Sequence, residues 1–166
     1  MKGLENQSYL IGFIAFNLLA ILFVVASIKM PRFSRGLFFL LFGWACWMNW
    51  TYSQNNPEAY QEYSALTFSN VYKEFITGWF KSHTALMVGV IATCQGLIAI
   101  SMWLKGVLFK IGSIGGIVFL LAIAPLGVGS GFPCTVVFAI ALTILYRKGN
   151  NFLWLRKPAY NSLPKV

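Results

Sequence analysis

The feature that most constrains this chain is a succession of long apolar runs with no Asp, Glu, Lys, Arg or His inside them. They occupy residues 8–27, 36–52, 84–104 and 111–146, and together they are most of a 166-residue sequence. A helix rises 1.5 Å per residue, so about 20 apolar residues cross the hydrocarbon of a bilayer. Only 10% of the chain is charged. Soluble domains run near a quarter, so this surface is not made for water.

The last run is too long for one helix and is cut near its middle by Gly127, Gly129, Gly131 and Pro133. The expected spans are therefore about 8–29, 36–53, 83–104, 111–126 and 134–146. Two short crossings is the preferred reading of 111–146, and a re-entrant hairpin remains the alternative, since backbone turning inside the bilayer needs protein cover. The first run is longer than a signal-peptide core and no A-x-A site follows it, so it reads as a retained transmembrane helix.

Charge gives the orientation. Lys29, Arg32 and Arg35 fall between the first and second runs, Lys105 and Lys110 between the third and fourth, and Arg147, Lys148, Arg156, Lys157 and Lys165 after the last. The remaining basic residues, Lys2, Lys73 and Lys81, share their side with all four Glu. Five crossings with the N-terminus outside and the C-terminus cytoplasmic satisfy the positive-inside bias. The net charge of +9 is thereby explained without a nucleic-acid partner. The expected organisation is one transmembrane domain, 1–148, with a basic cytoplasmic tail, 149–166, in a bacterial plasma membrane.

The hydrophilic stretch between the second and third spans predicts an outer amphipathic helical segment over 57–81. Asn56 can cap it, with Pro57 in the first position and Glu58 in the first turn. Val71, Phe75 and Trp79, with Tyr72, Ile76 and Phe80 beside them, form one broad apolar face, and residues 68–70 offer a break. Such a helix suits the membrane interface or the roof of a bundle.

Reactive chemistry is sparse. Cys46, Cys94 and Cys134 form no CxxC pair, and small buried hydrophobes is their simplest reading. No Ser/His/Asp set, phosphate loop or core carboxylate pair is present, so the chain is read as leaning away from catalysis, with no metal site. Intramembrane charges, which mark proton and ion pathways, are absent from the runs. His83, the single His, falls at the outer start of the third span beside Ser82, which can cap it. Trp44, Trp47 and Trp50 step along the second span, and the first two lie deeper than an aromatic belt. Asn17, Asn49 and Gln95 are amides positioned to bond between helices.

The stretch 110–125, KIGSIGGIVFLLAIAP, continued by LGVGSGFP to Pro133, resembles the last two helices of DoxX-like membrane proteins. The order of a short helix, an Asn-Pro-Glu-bearing outer segment and a third helix resembles that family too, over roughly 34–148. The resemblance implies an all-α four-helix membrane core, here with an extra N-terminal helix, and a link in some members to quinone-dependent redox chemistry. It carries over no catalytic residue. The resulting expectation is a non-catalytic subunit or assembly partner of a larger membrane complex. The alternative is a lipid- or quinone-binding protein, with His83, Ser130 and Trp79 at the outer turn and Trp44 and Trp47 as partner contacts.

Overall fold

A computed structural model describes residues 3–148. The basic tail 149–166 lies outside them. The described residues form helices and turns with no strand: α1 (Gln7–Lys29), α2 (Pro31–Asn55), α3 (Tyr63–Leu66), α4 (Asn70–Phe75), α5 (Lys81–Ser101), α6 (Gly106–Ile123) and α7 (Cys134–Lys148). Among the described residues, three helical stretches are long and apolar enough to cross a membrane: Gln7–Lys29, Asn70–Ser101 and Gly106–Ser130. The fold is an all-α bundle of the kind a membrane protein has.

The five long helices close into a ring in which α2 packs along α5, α5 against α6, α6 against α7, α7 against α1, and α1 against α2. Phe rings fill its centre. Phe23 meets Phe38 and Phe138 edge-on, each with ring centroids 4.9 Å apart. Met102, Phe109, Leu142 and Leu145 complete the same core without solvent exposure. Edge-to-face geometry sets the negative ring face against the positive edge of its neighbour, so these contacts orient the helices as well as burying area.

Outward faces are more apolar than the interior requires. Leu22, Leu86, Leu97, Val107, Ile111 and Val118 are all more than half exposed, while Ser27, Ser34, Gln95 and Ser113 are buried. A water-soluble chain does not expose so continuous an aliphatic surface. Hydrocarbon around the ring accounts for it.

Small residues bring helices together where the sequence has Gly. A Cβ on Gly116 would lie 2.7 Å from Leu142 and 3.2 Å from Phe42, and one on Gly112 would overlap the Ser101 side chain. The α6 backbone therefore sits directly against α5 and α7, the close approach that small residues permit in lipid.

The two ends of the ring differ. At the basic end Met30 alone separates α1 from α2, and Ser27 and Ser34 hydroxyls bond across that corner at 2.7 Å. Lys148 donates from Nζ to the Ile28 carbonyl at 2.7 Å, tying α7 to α1. At the opposite end the long connection from α2 to α5 folds over the ring as a cap.

That cap departs from the expected helix over 57–81. Pro57 opens a 3₁₀ stretch, Pro57–Glu62, and Asn56 makes no side-chain capping bond. The chain then breaks at Thr67, and Ser69 caps α4 by accepting from the Tyr72 N–H. Beyond α4 the helix does not stop. It passes through a single π turn, Ile76–Phe80, into α5, with Gly78 and His83 off helical geometry. Ser82 is therefore not the cap of a new span.

Candidate functional site

The broad apolar face expected on the cap splits in two. Ile76 and Phe80 are buried against Val88, whereas Val71, Phe75 and Trp79 face outward. Tyr72 donates its hydroxyl to the Ala122 carbonyl at 2.6 Å, which anchors the cap to the far end of α6. His83 lies flat against Trp79, with ring centroids 4.4 Å apart and planes 11° apart, and its Nδ1 is 3.0 Å from the Trp79 carbonyl. The structure thus brings Trp79 and His83 together on an exposed surface.

Ser130 is placed otherwise. It sits in the 3₁₀ stretch Ala124–Ser130 between α6 and α7 and donates its hydroxyl to Gly127 in its own turn, at 3.0 Å. Gly127 and Gly131 both have positive φ, 70° and 77°, which is why Gly is needed there. The turn is covered. A Cβ on Gly127 would meet the Leu66 carbonyl oxygen at 2.7 Å, and one on Gly129 would overlap the Tyr63 ring. Thr67 donates its hydroxyl to the Pro125 carbonyl at 2.6 Å, and Phe68 packs edge-on against Phe132 at 5.5 Å. The backbone groups of the Gly/Pro turn therefore meet α3 and the residues just after it.

Beneath the cap a chain of amides links three elements. Tyr60 donates to Asn49 Oδ1 at 2.8 Å, and Asn49 Nδ2 donates to Gln95 Oε1 at 2.8 Å. The two amides bond between α2 and α5 as the sequence suggests, while Asn17 instead bonds the Phe13 carbonyl of its own helix. Burial pushes the Tyr60 phenol up to about 12, and burial raises that of Tyr63 as well. Both favour the protonated hydroxyl, which is the form that donates to Asn49 in the case of Tyr60.

Trp44 and Trp47 project from the middle of α2 and are 50% and 63% exposed, with Leu40 on the same face. From Pro31 they stand about 20 and 24 Å along the helix, at 1.5 Å per residue. Neither indole N–H has an acceptor among the described residues. Gly43, just before Trp44 and one turn before Trp47, would place a Cβ in open space, so the surface has a notch beside the rings.

One residue that organises the basic end was missed by sequence reasoning. Arg35, expected in the loop between the first two spans, lies inside α2 with 2% exposure. Its Nε donates to the Met102 carbonyl at 2.8 Å, an Nη donates to the Leu104 carbonyl, and the guanidinium stands 4.1 Å over the Phe109 ring. It closes the exit of α5 and the entry of α6 with one side chain. The available signal was register: Arg35, Phe38 and Phe42 are i, i+3, i+7 and share the inward face.

Among the described residues no group of three or more His, Cys, Asp or Glu is arranged to hold a metal ion. Comparison with protein-family models, curated proteins and solved structures yields no match.

Proposed function

We propose that this chain is a non-catalytic, membrane-embedded subunit or assembly partner of a larger complex in a bacterial inner membrane. In this reading all five long helices cross, the basic end is cytoplasmic, and the cap is outside. α2, α5, α6 and α7 form a DoxX-like four-helix core, and α1 is an addition that seals it. The segregation of Lys29, Arg35 and Lys148 to one end supports the orientation.

The observation that carries the partner is the position of Trp44 and Trp47. Trp favours the membrane interface because its N–H finds water there. At mid-helix the N–H meets hydrocarbon, where an unmade hydrogen bond is costly. An acceptor on a neighbouring subunit removes that cost, and the Gly43 notch lets a second helix come close. Tyr63 and Leu66 fill the space that a quinone over the Gly/Pro turn would need, so this reading puts no cofactor there.

A photo-crosslinking residue at Leu40 should join the chain to one partner subunit in native membranes. Trp44→Ala with Trp47→Ala should weaken that association about 30-fold, taking about 2 kcal/mol for truncated aromatic anchors. Helix content should stay unchanged, because both rings are half or more exposed. Crosslinks to lipid alone, or a partner retained equally by the double variant, would remove the basis of the proposal.

A further inference from the structure

Two adjoining depressions lie at the junction of the cap with α2 and α5. One is a cup of ≈ 760 Å³, of mixed polar and apolar lining, that includes Glu58, Gln61, Lys81, Ser82 and Thr84. The other is an open, mainly apolar groove of ≈ 420 Å³ between α2 and α5 that includes Trp50, Leu86, Gly89, Val90 and Thr93. Ala85 borders both, so the cup and the groove lie side by side. From Ala85 to Cys94 the groove follows α5 for about 14 Å at 1.5 Å per residue.

We propose that these adjoining depressions together bind one phospholipid with a primary-amine headgroup, headgroup in the cup and one acyl chain in the groove. This does not depend on whether the chain joins a larger complex. The cup carries both signs of charge that such a headgroup needs. The Lys81 ammonium suits the phosphate and the Glu58 carboxylate suits the headgroup ammonium. No ion pair occupies either of them among the described residues. The floor is already organised: Gln61 Nε2 donates to Thr84 Oγ1 at 3.0 Å, and Thr84 donates to the Phe80 carbonyl at 2.8 Å.

The groove is shaped for a chain rather than for water. Gly89 leaves its floor open, with the Trp50 ring 3.9 Å from where a Cβ would stand. Thr93 turns its hydroxyl back onto the Gly89 carbonyl at 2.9 Å, which leaves its methyl for the groove. Lipid tails are as apolar as the side chains they would touch, so the groove alone gives little selectivity. Selectivity comes from the cup, where charge-assisted hydrogen bonds are made.

The test uses the full-length protein in mild detergent, with equal amounts of phosphatidylethanolamine and phosphatidylglycerol, read by native mass spectrometry. Wild type should keep one phosphatidylethanolamine, favoured by about tenfold, the value of one charge-assisted hydrogen bond. Glu58→Gln should abolish that preference by removing the ammonium partner. Lys81→Gln should lower retention of both lipids, since both have a phosphate. Gly89→Leu should lower occupancy without changing preference. The two charge variants are at the surface and leave the core intact, so they decide the matter even where Gly89→Leu fails to fold. A preference for phosphatidylglycerol, a ladder of adducts with no favoured single one, or equal retention by wild type and the charge variants would overturn the proposal.

Discussion

The two ends of the ring are closed by opposite means. At the basic end the connections are short: Met30 alone joins α1 to α2, and few residues join α5 to α6. Short connections leave helix-terminal carbonyls with nowhere to turn. One buried guanidinium, that of Arg35, takes the carbonyls of Met102 and Leu104, and Lys148 takes that of Ile28. At the other end the connection from α2 to α5 is long, and its own short helices supply the donors. Thr67 and Tyr72 bond the carbonyls of Pro125 and Ala122, and Tyr60 bonds Asn49. The first closure rests chiefly on one buried side chain, that of Arg35, and the second is distributed over many. A single substitution should therefore hurt the basic end more than the cap.

The largest effect should come from Arg35→Ala. It removes charged hydrogen bonds to two carbonyls and a cation–π contact with Phe109, for a loss of about 3 kcal/mol. The detergent-denaturation midpoint followed by far-UV circular dichroism should fall accordingly. Arg35→Lys should recover only part, because a point charge cannot match the planar fork. A midpoint for Arg35→Ala within error of wild type would refute the concentrated closure.

Gly127→Ala should follow, at about 2 kcal/mol from a strained φ and a clash with backbone. Its Cβ would press on the Leu66 carbonyl oxygen, which has no flexible end to move aside. Because the cap is held at several points, the damage should stay local. Proteolysis near Leu66 should speed up while the Phe23–Phe38–Phe138 core remains protected from hydrogen exchange. Equal loss of protection at both ends would mean that the closures are not separate.

Much of the ring was legible in the sequence, and the reason is physical. Hydrocarbon imposes one rule on every span, so the runs at 8–27 and 84–104 approximate α1 and α5, and the Gly127–Pro133 punctuation marks the turn between α6 and α7. The break at residues 68–70 was legible because Ser69 has the chemistry of a cap. Arg35 was not, since a charge near a predicted loop looks the same whether it meets water or another helix's carbonyls. Continuity of α4 into α5 was hidden too. Ser82 and His83 resemble a helix start, and nothing local announces that a π turn at Ile76–Phe80 carries the helix through. The cup was invisible for the same reason: Glu58 and Lys81 are far apart in sequence and line one depression only once the cap has folded.

A smaller effect is expected from Asn49→Leu, which tests how the cap shares its load. Tyr60 loses its acceptor and Gln95 loses a donor, yet water can reach the half-buried Tyr60. The cost should be about 1 kcal/mol. Combined with Tyr60→Phe, the loss should be less than the sum of the singles, because both remove the same bond. Strict additivity would show that the Tyr60–Asn49–Gln95 chain is not a working unit.

The smallest effect concerns pH, and its sign is fixed by Tyr60. Burial raises the phenol to about 12 in the folded protein, above its ordinary value near 10. The fold therefore favours the protonated hydroxyl. The unfolded chain, with the lower value, loses its proton first as pH climbs. The contribution of Tyr60 is whole below pH 10 and is lost progressively as pH rises from about 10 through 12. Partial exposure screens the phenolate, so the loss should stay under about 0.5 kcal/mol. The useful quantity is the difference between wild type and Tyr60→Phe, in which every other alkaline contribution cancels. That variant forfeits the hydrogen bond to Asn49 at every pH, which displaces its curve by a constant amount. Above pH 10 the two curves should converge, because only wild type still has an alkaline penalty to incur. Parallel curves from pH 8 to 12 would mean that the Tyr60 hydroxyl is as well solvated in the fold as in the unfolded chain, and that the cap rests on the ring without sealing it.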